Sequence, residues 1–309
     1  MFVLPTTLRL GTIARCLLIV CTILLATQLI ASRAASRATS RVELAAPSAA
    51  TSALITARES HTATLLPNGR LLVVGGRNSR VGDTSGALKS VEIYDPATGK
   101  WSDTALLNVA RFEHIAVLLR DGSVLVAGGR NVNGYLDSYE IYDPVAAKWT
   151  LSSNKLNTAR AKATATLLFL TSLPINGAVL LAGGENNNGA LKDAELYDPI
   201  TKKWSVTGSL NNARREHTAT LILTGKVIIA GGGDNNLSSL KSTEIYDSRS
   251  GTWSEARLSM NVARRQHTAT ALPDGRVLIT GGLDGANTLN SSEIYFPFKQ
   301  TWVLVNAPM

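Results

Sequence analysis

The side chains that could do chemistry in this 309-residue sequence recur at regular intervals. Five arginines begin five copies of one stretch, and in four copies a histidine follows three residues after the arginine. A guanidinium group can hold a carboxylate through two parallel hydrogen bonds, and an imidazole can bind a ligand or a metal ion. The arginines are Arg58, Arg111, Arg160, Arg214 and Arg264. The histidines are His61, His114, His217 and His267.

The copies are spaced 49 to 54 residues apart, a period that is typical of propellers and other repeat architectures. Each copy predicts four short strands. The first strand ends at a turn such as Asn68-Gly69, whose residues suit a two-residue hairpin. The second strand is an apolar run ending in two glycines, which indicates a close approach of another backbone. The glycine pairs are Gly75-Gly76, Gly128-Gly129, Gly183-Gly184, Gly231-Gly232 and Gly281-Gly282.

The third and fourth strands carry the aromatic residues of each copy. A Glu-x-Tyr motif marks the third strand, and a tryptophan opens the fourth strand seven residues after the tyrosine. This regularity predicts that every tryptophan in the chain packs inside the fold. The tyrosines are Tyr94, Tyr142, Tyr197, Tyr246 and Tyr295. The tryptophans are Trp101, Trp149, Trp204, Trp253 and Trp302.

Two glycines, then Tyr-Asp, then tryptophan at this spacing resembles the kelch repeat, and the resemblance covers residues 58–305. It implies an all-β fold, a β-propeller of about five four-stranded antiparallel blades with the first strand of each blade innermost. Kelch propellers more often have six or seven blades, so the resemblance leaves open whether five blades close on themselves or need a partner. The third copy departs from the others because Ala163 replaces the histidine and its first turn is longer.

The arginines and histidines each allow two interpretations within a propeller. The arginines could form a cationic ring that grips carboxylates or anionic sugars, or each could pair with the glutamate of its own Glu-x-Tyr motif. Five arginines against five glutamates favour the ion pair. The histidines could form a ligand or metal collar at one mouth of the central channel, or could bond one blade to the next. The second interpretation is favoured, because a functional site needs its residues only once. The glutamates are Glu92, Glu140, Glu195, Glu244 and Glu293.

The N-terminal residues differ from the repeats. Basic residues precede an uncharged apolar run, Cys16 to Ala31, and small residues follow it, which is the order of an export signal. Residues 1–34 are therefore predicted to be a cleaved signal peptide or an uncleaved anchor helix. Residues 35–57 are predicted to be a flexible tether rich in Ala, Ser and Thr, and residues 58–309 to be the propeller. We expect the propeller to lie outside the cytoplasm, either secreted or anchored by one transmembrane helix.

The composition limits the partners and the chemistry. The net charge of +8 falls to +4 over residues 58–309, with both signs interspersed, so nucleic acid is not expected to bind. Both cysteines, Cys16 and Cys21, lie in the N-terminal apolar run. A propeller without cysteine cannot form the cysteine–tyrosine crosslink on which the kelch enzyme galactose oxidase depends. We expect no cofactor and no metal site, and contact with a membrane only through an uncleaved N-terminal helix.

Three functions are compatible with the sequence. The favoured one is an exported module that recognises a protein or a glycan through the face that carries the longer, variable loops. The second is a sugar-processing enzyme, for which Glu113 beside His114 and Glu216 beside His217 are the candidate acid–base pairs. The third is a structural surface protein that associates with itself as part of a larger propeller. The sequence assigns no catalytic residue.

Overall fold

A computed structural model describes residues 52–169, 177–236 and 238–305. Within these ranges the fold is all-β, and its five four-stranded antiparallel sheets are the blades that the repeats predict. Blade 1 contains β1 (Thr62–Leu65), β2 (Leu71–Val74), β3 (Val91–Asp95) and β4 (Lys100–Asp103). Blade 2 contains β5 (Ile115–Leu118), β6 (Val124–Ala127), the short strands β7 (Arg130–Asn131) and β8 (Gly134–Tyr135), then β9 (Tyr139–Asp143) and β10 (Lys148–Leu151).

The other three blades follow the same order. Blade 3 contains β11 (Thr164–Leu167), β12 (Val179–Ala182), β13 (Glu185–Asn186), β14 (Gly189–Ala190), β15 (Ala194–Asp198) and β16 (Lys203–Val206). Blade 4 contains β17 (Thr218–Leu221), β18 (Val227–Ala230), β19 (Thr243–Asp247) and β20 (Thr252–Glu255). Blade 5 contains β21 (Thr268–Ala271), β22 (Val277–Thr280), β23 (Leu283–Asp284), β24 (Asn287–Thr288), β25 (Ser292–Phe296) and β26 (Thr301–Val305).

Each blade is a meander, so its connections divide between two faces. The short-turn face carries the turns between the first and second main strands and between the third and fourth. The long-loop face carries the second-to-third loops and the links between blades. In blades 2, 3 and 5 the second-to-third loop is a two-stranded ribbon, β7–β8, β13–β14 or β23–β24. The first strands lie innermost and contact one another in chain order.

The glycines act as predicted at the ends of the second strands, but the first turn differs from the prediction. Gly76 has φ +97°, and a Cβ built there would lie 2.8 Å from the Cβ of His61, so the close approach is confirmed. The turn at Asn68-Gly69 is not a two-residue hairpin. Leu66 N donates to Arg70 O at 2.8 Å, and Gly69 N donates to Leu66 O at 2.9 Å. This is a three-residue loop with the glycine in its left-handed position.

The cores lie between blades rather than within them. At the junction of blades 4 and 5, Ile228 and Met260 of blade 4 pack against Tyr295 and Trp302 of blade 5. The ring centroids of Tyr295 and Trp302 are 4.9 Å apart. The same arrangement recurs at the three other junctions. Four of the five repeated tryptophans therefore pack as the sequence predicts, because each lies on the face that its blade presents to the preceding blade, whereas Trp101 of blade 1 is only partly buried.

Blade 5 and blade 1 do not make this junction within the described residues. Between consecutive blades a glycine amide donates to an arginine carbonyl, as from Gly76 N to Arg111 O at 2.9 Å, and no such bond joins Gly282 to Arg58. Leu278 of blade 5 is partly exposed, whereas its equivalent in blade 1 is fully buried. We call this opening the seam. It lies between the face of blade 5 that includes Leu278 and the face of blade 1 that includes Trp101.

Residues 52–57, which the sequence assigns to the tether, are bound to blade 1. Ser52 N donates to Gly99 O at 3.2 Å, and the amides of Ile55 and Thr56 donate to the Glu92 carboxylate at 2.7 and 2.9 Å. The tether boundary at residue 57 is therefore too late. The predicted N-terminal helix over residues 1–34 lies outside the described residues. Within the described ranges, no helix is long and apolar enough to cross a membrane.

Candidate functional site

The five arginines lie inside the blades. Arg111 is fully buried, and its Nη2 lies 3.2 Å from Oε1 of Glu140. Its Nη1 donates to Gly128 O at 2.7 Å and to Ser138 O at 3.0 Å. Burial lowers the pKa of Arg111, and the charge of Glu140 opposes that shift. The equivalent ion pairs are Arg58–Glu92, Arg160–Glu195, Arg214–Glu244 and Arg264–Glu293.

Each glutamate also fixes the link that enters its blade. Oε2 of Glu140 accepts from the amide and the side chain of Asn108, both at 2.8 Å, and Oε1 accepts from Val109 N at 2.9 Å. A buried carboxylate is stable only when its charge and lone pairs are satisfied in this way. Both Nη groups of the guanidinium and both oxygens of the carboxylate are hydrogen-bonded, and neither side chain has exposed surface, although Arg111 Nε has no partner among the described residues. This geometry is the one that the ion-pair hypothesis predicts, and a ligand could reach Arg111 only if the blade opened.

Three of the histidines bond one blade to the preceding one. Nε2 of His114 lies 2.9 Å from Oγ1 of Thr62, and the same contact joins His217 to Thr164 and His267 to Thr218. Burial lowers the pKa of His114 to about 3, so its imidazole is neutral near pH 7. His61 belongs to blade 1, which has no preceding blade within the described residues, and it is the most exposed of the four.

The missing histidine of the third copy is matched by a change on the neighbouring blade. The junction of blades 2 and 3 places Ile115 where other blades have threonine, and Ala163 packs against the cluster that contains Ile115. An apolar pair therefore replaces the threonine–histidine hydrogen bond. Both partners changed together, which leaves no buried polar group without its partner at this position. This pairing supports the blade-to-blade interpretation of the histidines.

A ring of side chains, of which the sequence pointed only to Glu113 and Glu216, lines the channel mouth on the long-loop face. We call it the mouth surface, and its residues precede the histidine position in each copy. All have φ between 54° and 55°, and their backbones bond around the channel, as from Glu113 N to Ser60 O at 3.0 Å. Their shared offset in the repeat singles out a position that varies among otherwise similar copies, but only the packing of the blades shows that these side chains form one surface. The residues are Ser60, Glu113, Lys162, Glu216 and Gln266.

Opposite charges connect the mouth surface to the surrounding ribbons. Lys162 Nζ lies 3.0 Å from Glu185 and 3.2 Å from Glu216, and Arg130 Nε lies 2.7 Å from Glu113. Partial burial acts to lower the pKa of Lys162, but the hydrogen bond to Glu185 and the nearby carboxylates outweigh it and raise that pKa. Arg215 also pairs with Glu185, at 2.6 Å. The side chains are thus held in place before any partner binds.

The candidate acid–base pairs are not assembled. The Glu113 carboxylate faces Arg130, whereas the His114 ring is buried against Thr62 of blade 1. Glu216 likewise pairs with Lys162 and Arg265, and burial lowers the pKa of His217 well below its usual value. Within the described residues, no group of three or more His, Cys, Asp and Glu side chains is arranged to hold a metal ion.

Comparison with known proteins agrees with this architecture. The Kelch motif matches residues 60–105, 114–155, 169–211 and 214–257, and the chain belongs to the kelch-repeat family. Kelch repeats generally mediate protein–protein interactions. The structure adds a fifth copy, β21 to β26, with the same sheet order. A search of curated proteins finds no match to the chain.

Proposed function

We propose that this protein is a binding module whose mouth surface recognises a polypeptide partner. One observation carries the proposal. A single backbone position, held in the same conformation in five blades, displays Ser60, Glu113, Lys162, Glu216 and Gln266. The buried positions of the repeat hold nearly constant side chains, so the scaffold is rigid and the residues that differ face the solvent. Variable side chains on a rigid frame are the usual arrangement of a binding surface.

The charges of the mouth surface favour a polypeptide over a neutral glycan. Glu113, Glu185 and Glu216 each lie near Lys162, and each also pairs with an arginine of a neighbouring element. These arginines are Arg130, Arg215 and Arg265. A partner that carries both signs of charge gains complementary contacts from this pattern, whereas uncharged hydroxyls gain little from it. Because the side chains are already paired with one another, little conformational entropy is lost when a partner binds.

The test is a binding screen of the full chain against peptide and glycan arrays. Ser60→Arg is the blocking variant, because Ser60 is exposed and its side chain forms no hydrogen bond with any of the described residues. We expect this variant to lose peptide binding by about tenfold or more at an unchanged melting temperature. Lys203→Arg, on an outer strand far from the channel, is the control and should bind normally. Peptide binding that survives Ser60→Arg, or binding of neutral glycans alone, would contradict the proposal.

The module is further proposed to act outside the cytoplasm, either secreted or anchored by its N-terminus. The support is the order of basic, apolar and small residues over residues 1–34. N-terminal sequencing of the protein from its native cells distinguishes the two forms, because a cleaved signal leaves a new N-terminus near residue 35. Resistance to protease added outside intact cells, together with an uncleaved N-terminus in the soluble fraction, would refute both forms.

Self-association is a second candidate function, and the seam favours it. The exposed face of blade 5 has the residue types that the other blades use to receive their neighbour, and blade 1 presents Tyr94 and Trp101, which are only partly buried. A second copy that docked blade 1 on blade 5 would continue the junction already present between consecutive blades. A single-chain mass at all concentrations in analytical ultracentrifugation would exclude this candidate.

A further inference from the structure

A cleft opens on the short-turn face between blades 2 and 3, on the opposite side of the molecule from the mouth surface. Its volume is about 390 Å³, which lies within the usual range for small ligand sites. Its walls are mostly apolar and include Leu119, Ile141, Pro144 and Pro199. We call it the blade 2–3 cleft.

A residue that occurs in one blade only shapes this cleft. Tyr139 begins β9 at a position where the other blades have Val91, Ala194, Thr243 or Ser292. It is fully buried between the blades and contacts Tyr197 edge-on, with ring centroids 5.6 Å apart. Its hydroxyl donates to the carbonyl of Lys202. The side chain therefore forms a rigid inner wall that the repeat does not supply elsewhere.

The hydroxyl of Tyr197 opens into the cleft without a partner. In neighbouring blades the equivalent hydroxyl contacts a threonine, Tyr142 with Thr104 at 3.1 Å and Tyr246 with Thr207 at 2.7 Å. Ser152 replaces that threonine opposite Tyr197, and its Oγ accepts from the amide of Asn154 instead. Tyr197 is 1% exposed and makes no hydrogen bond with any described residue. The hydroxyl of Tyr295 in blade 5 is also without a partner among the described residues but is fully buried, whereas the hydroxyl of Tyr197 can be reached from the cleft by water or by a ligand.

Two carboxylates at the cleft also lack the cation that is present at the equivalent turns of blades 1, 4 and 5. In blade 1, Arg70 lies 2.9 Å from Asp95, and in blade 4 Lys226 lies 2.9 Å from Asp247. Blade 2 has Ser123 at the position of that cation, so Asp143 makes no ion pair with a described residue.

Asp121 lies on the same cleft and is also without an ion pair among the described residues. Lys202 is the one basic residue in the lining, and its side chain is exposed. The carboxylates therefore outnumber the cations at the cleft. Burial, the neighbouring Tyr139 and then the charges of Asp121 and Asp198 raise the pKa of Tyr197.

We propose that the blade 2–3 cleft binds an arginine or lysine side chain of a polypeptide partner. The aliphatic stem lies against the apolar walls, the cation lies near Asp121 and Asp143, and the Tyr197 hydroxyl accepts one of its hydrogen bonds. The residues at the rim of the cleft favour a peptide over a free amine as the ligand, because Val145 and Ile200 are 96% and 87% exposed. Such protruding apolar residues contact the neighbours of a bound basic residue.

The experiment titrates the full chain, labelled with fluorinated tyrosine, with four acetylated peptide amides of sequence Leu-X-Leu. X is Arg, Lys, Gln or Glu, and ¹⁹F NMR follows the tyrosine signals, with that of Tyr197 identified by its loss in Tyr197→Phe. We expect the Arg and Lys peptides to shift the Tyr197 signal in a saturable way and the Gln and Glu peptides not to do so. Equal shifts from the Gln peptide, or no shift up to about 10 mM peptide, would overturn the proposal.

Two variants separate charge from packing. In Asp121→Asn/Asp143→Asn the side chains keep their turn-capping oxygens, at 3.0 Å from Ser123 N and 2.8 Å from Val145 N. The affinity for the Arg peptide should fall about tenfold or more, and Asp274→Asn, at the equivalent turn of blade 5, should leave it unchanged. Tyr197→Phe removes only the hydroxyl, so weaker binding without loss of stability is expected there. Unchanged affinity in both the double variant and Tyr197→Phe would refute the assignment.

These outcomes are independent of the mouth surface. Ser60→Arg lies on the opposite face and should leave the response of Tyr197 to the Arg peptide unaltered. Loss of mouth binding with an intact cleft would therefore leave this proposal standing, and the reverse result would leave the proposed function standing.

Discussion

Replacing Arg111 by methionine should destabilise the domain severely. The side chain is fully buried and makes four hydrogen bonds, two to carbonyl oxygens, one to Ser138 Oγ and one to Glu140. Its removal leaves the Glu140 charge without a counterion in a dry interior. Breaking one partner of a buried pair typically costs 3–5 kcal/mol. Because Asn108 and Val109 still donate to Glu140, we expect about 3–4 kcal/mol of the free energy of unfolding to be lost.

Urea unfolding followed by tryptophan fluorescence measures this loss, and a double variant tests its cause. Arg111→Met/Glu140→Gln removes the stranded charge, so it should be less destabilised than the sum of the two single variants. Arg249→Met, at an exposed turn, is the control and should change the free energy of unfolding by less than about 0.5 kcal/mol. A loss below about 1 kcal/mol for Arg111→Met would refute the view that this ion pair is a structural anchor.

Three further predictions concern the packing and the channel. Trp204→Ala should cost about 3–5 kcal/mol of unfolding free energy, and Trp101→Ala clearly less. Trp204 is 8% exposed inside a junction, whereas Trp101 faces the seam. Equal unfolding midpoints in urea for the two variants would contradict this prediction. Burial sets the pKa of His114 at about 3, below its unfolded value, so its contribution to stability is complete above pH 6.5 and is lost as the pH falls toward 3. The melting temperature of His114→Gln should therefore decline less between pH 6.5 and 4 than that of the natural protein, and a parallel decline would refute it. Gly76→Ala should lower the free energy of unfolding by more than about 1 kcal/mol, since φ is +97° and a Cβ would meet Glu59 O at 2.7 Å. An unchanged melting curve would show that the backbone can shift at this residue.

The repeat made most of the blade architecture predictable. Its period, its glycine pairs and its aromatic spacing each follow from a backbone or packing requirement within one blade or between adjacent blades. Such a requirement repeats in every copy, so it can be recognised in a single sequence. The close approach at Gly76 and the packing of Trp204 are local features of this kind. The turn at Asn68-Gly69 was predicted wrongly because the glycine signal is shared by two-residue and three-residue loops. Only the positions of Leu66 and Arg70 across the turn distinguish the two.

The candidate surfaces were much less predictable, because they depend on differences between copies. Attention to repeated residues led to Arg111 and His114, both of which the structure buries. Lys162 and Tyr139 deviate from the repeat, and only the packing of adjacent blades shows that one lies at the channel mouth and the other beside a cleft. Residues far apart in sequence meet there, so no local pattern could have indicated it.

The seam gives the domain two ends, although its strands are arranged around an axis. Within the part of the chain that the structure describes, four junctions connect the five blades, so blades 1 and 5 each have one neighbour there. Blade 3 has two neighbours that are themselves supported on both sides. Such an array behaves as a linear chain of nearest neighbours, which loosens from its ends inward. Amide protons of β2 and β22 should exchange faster than those of β12. A terminal blade could also be gained or lost without breaking a closed circle, so the number of blades in this architecture is free to change over evolution.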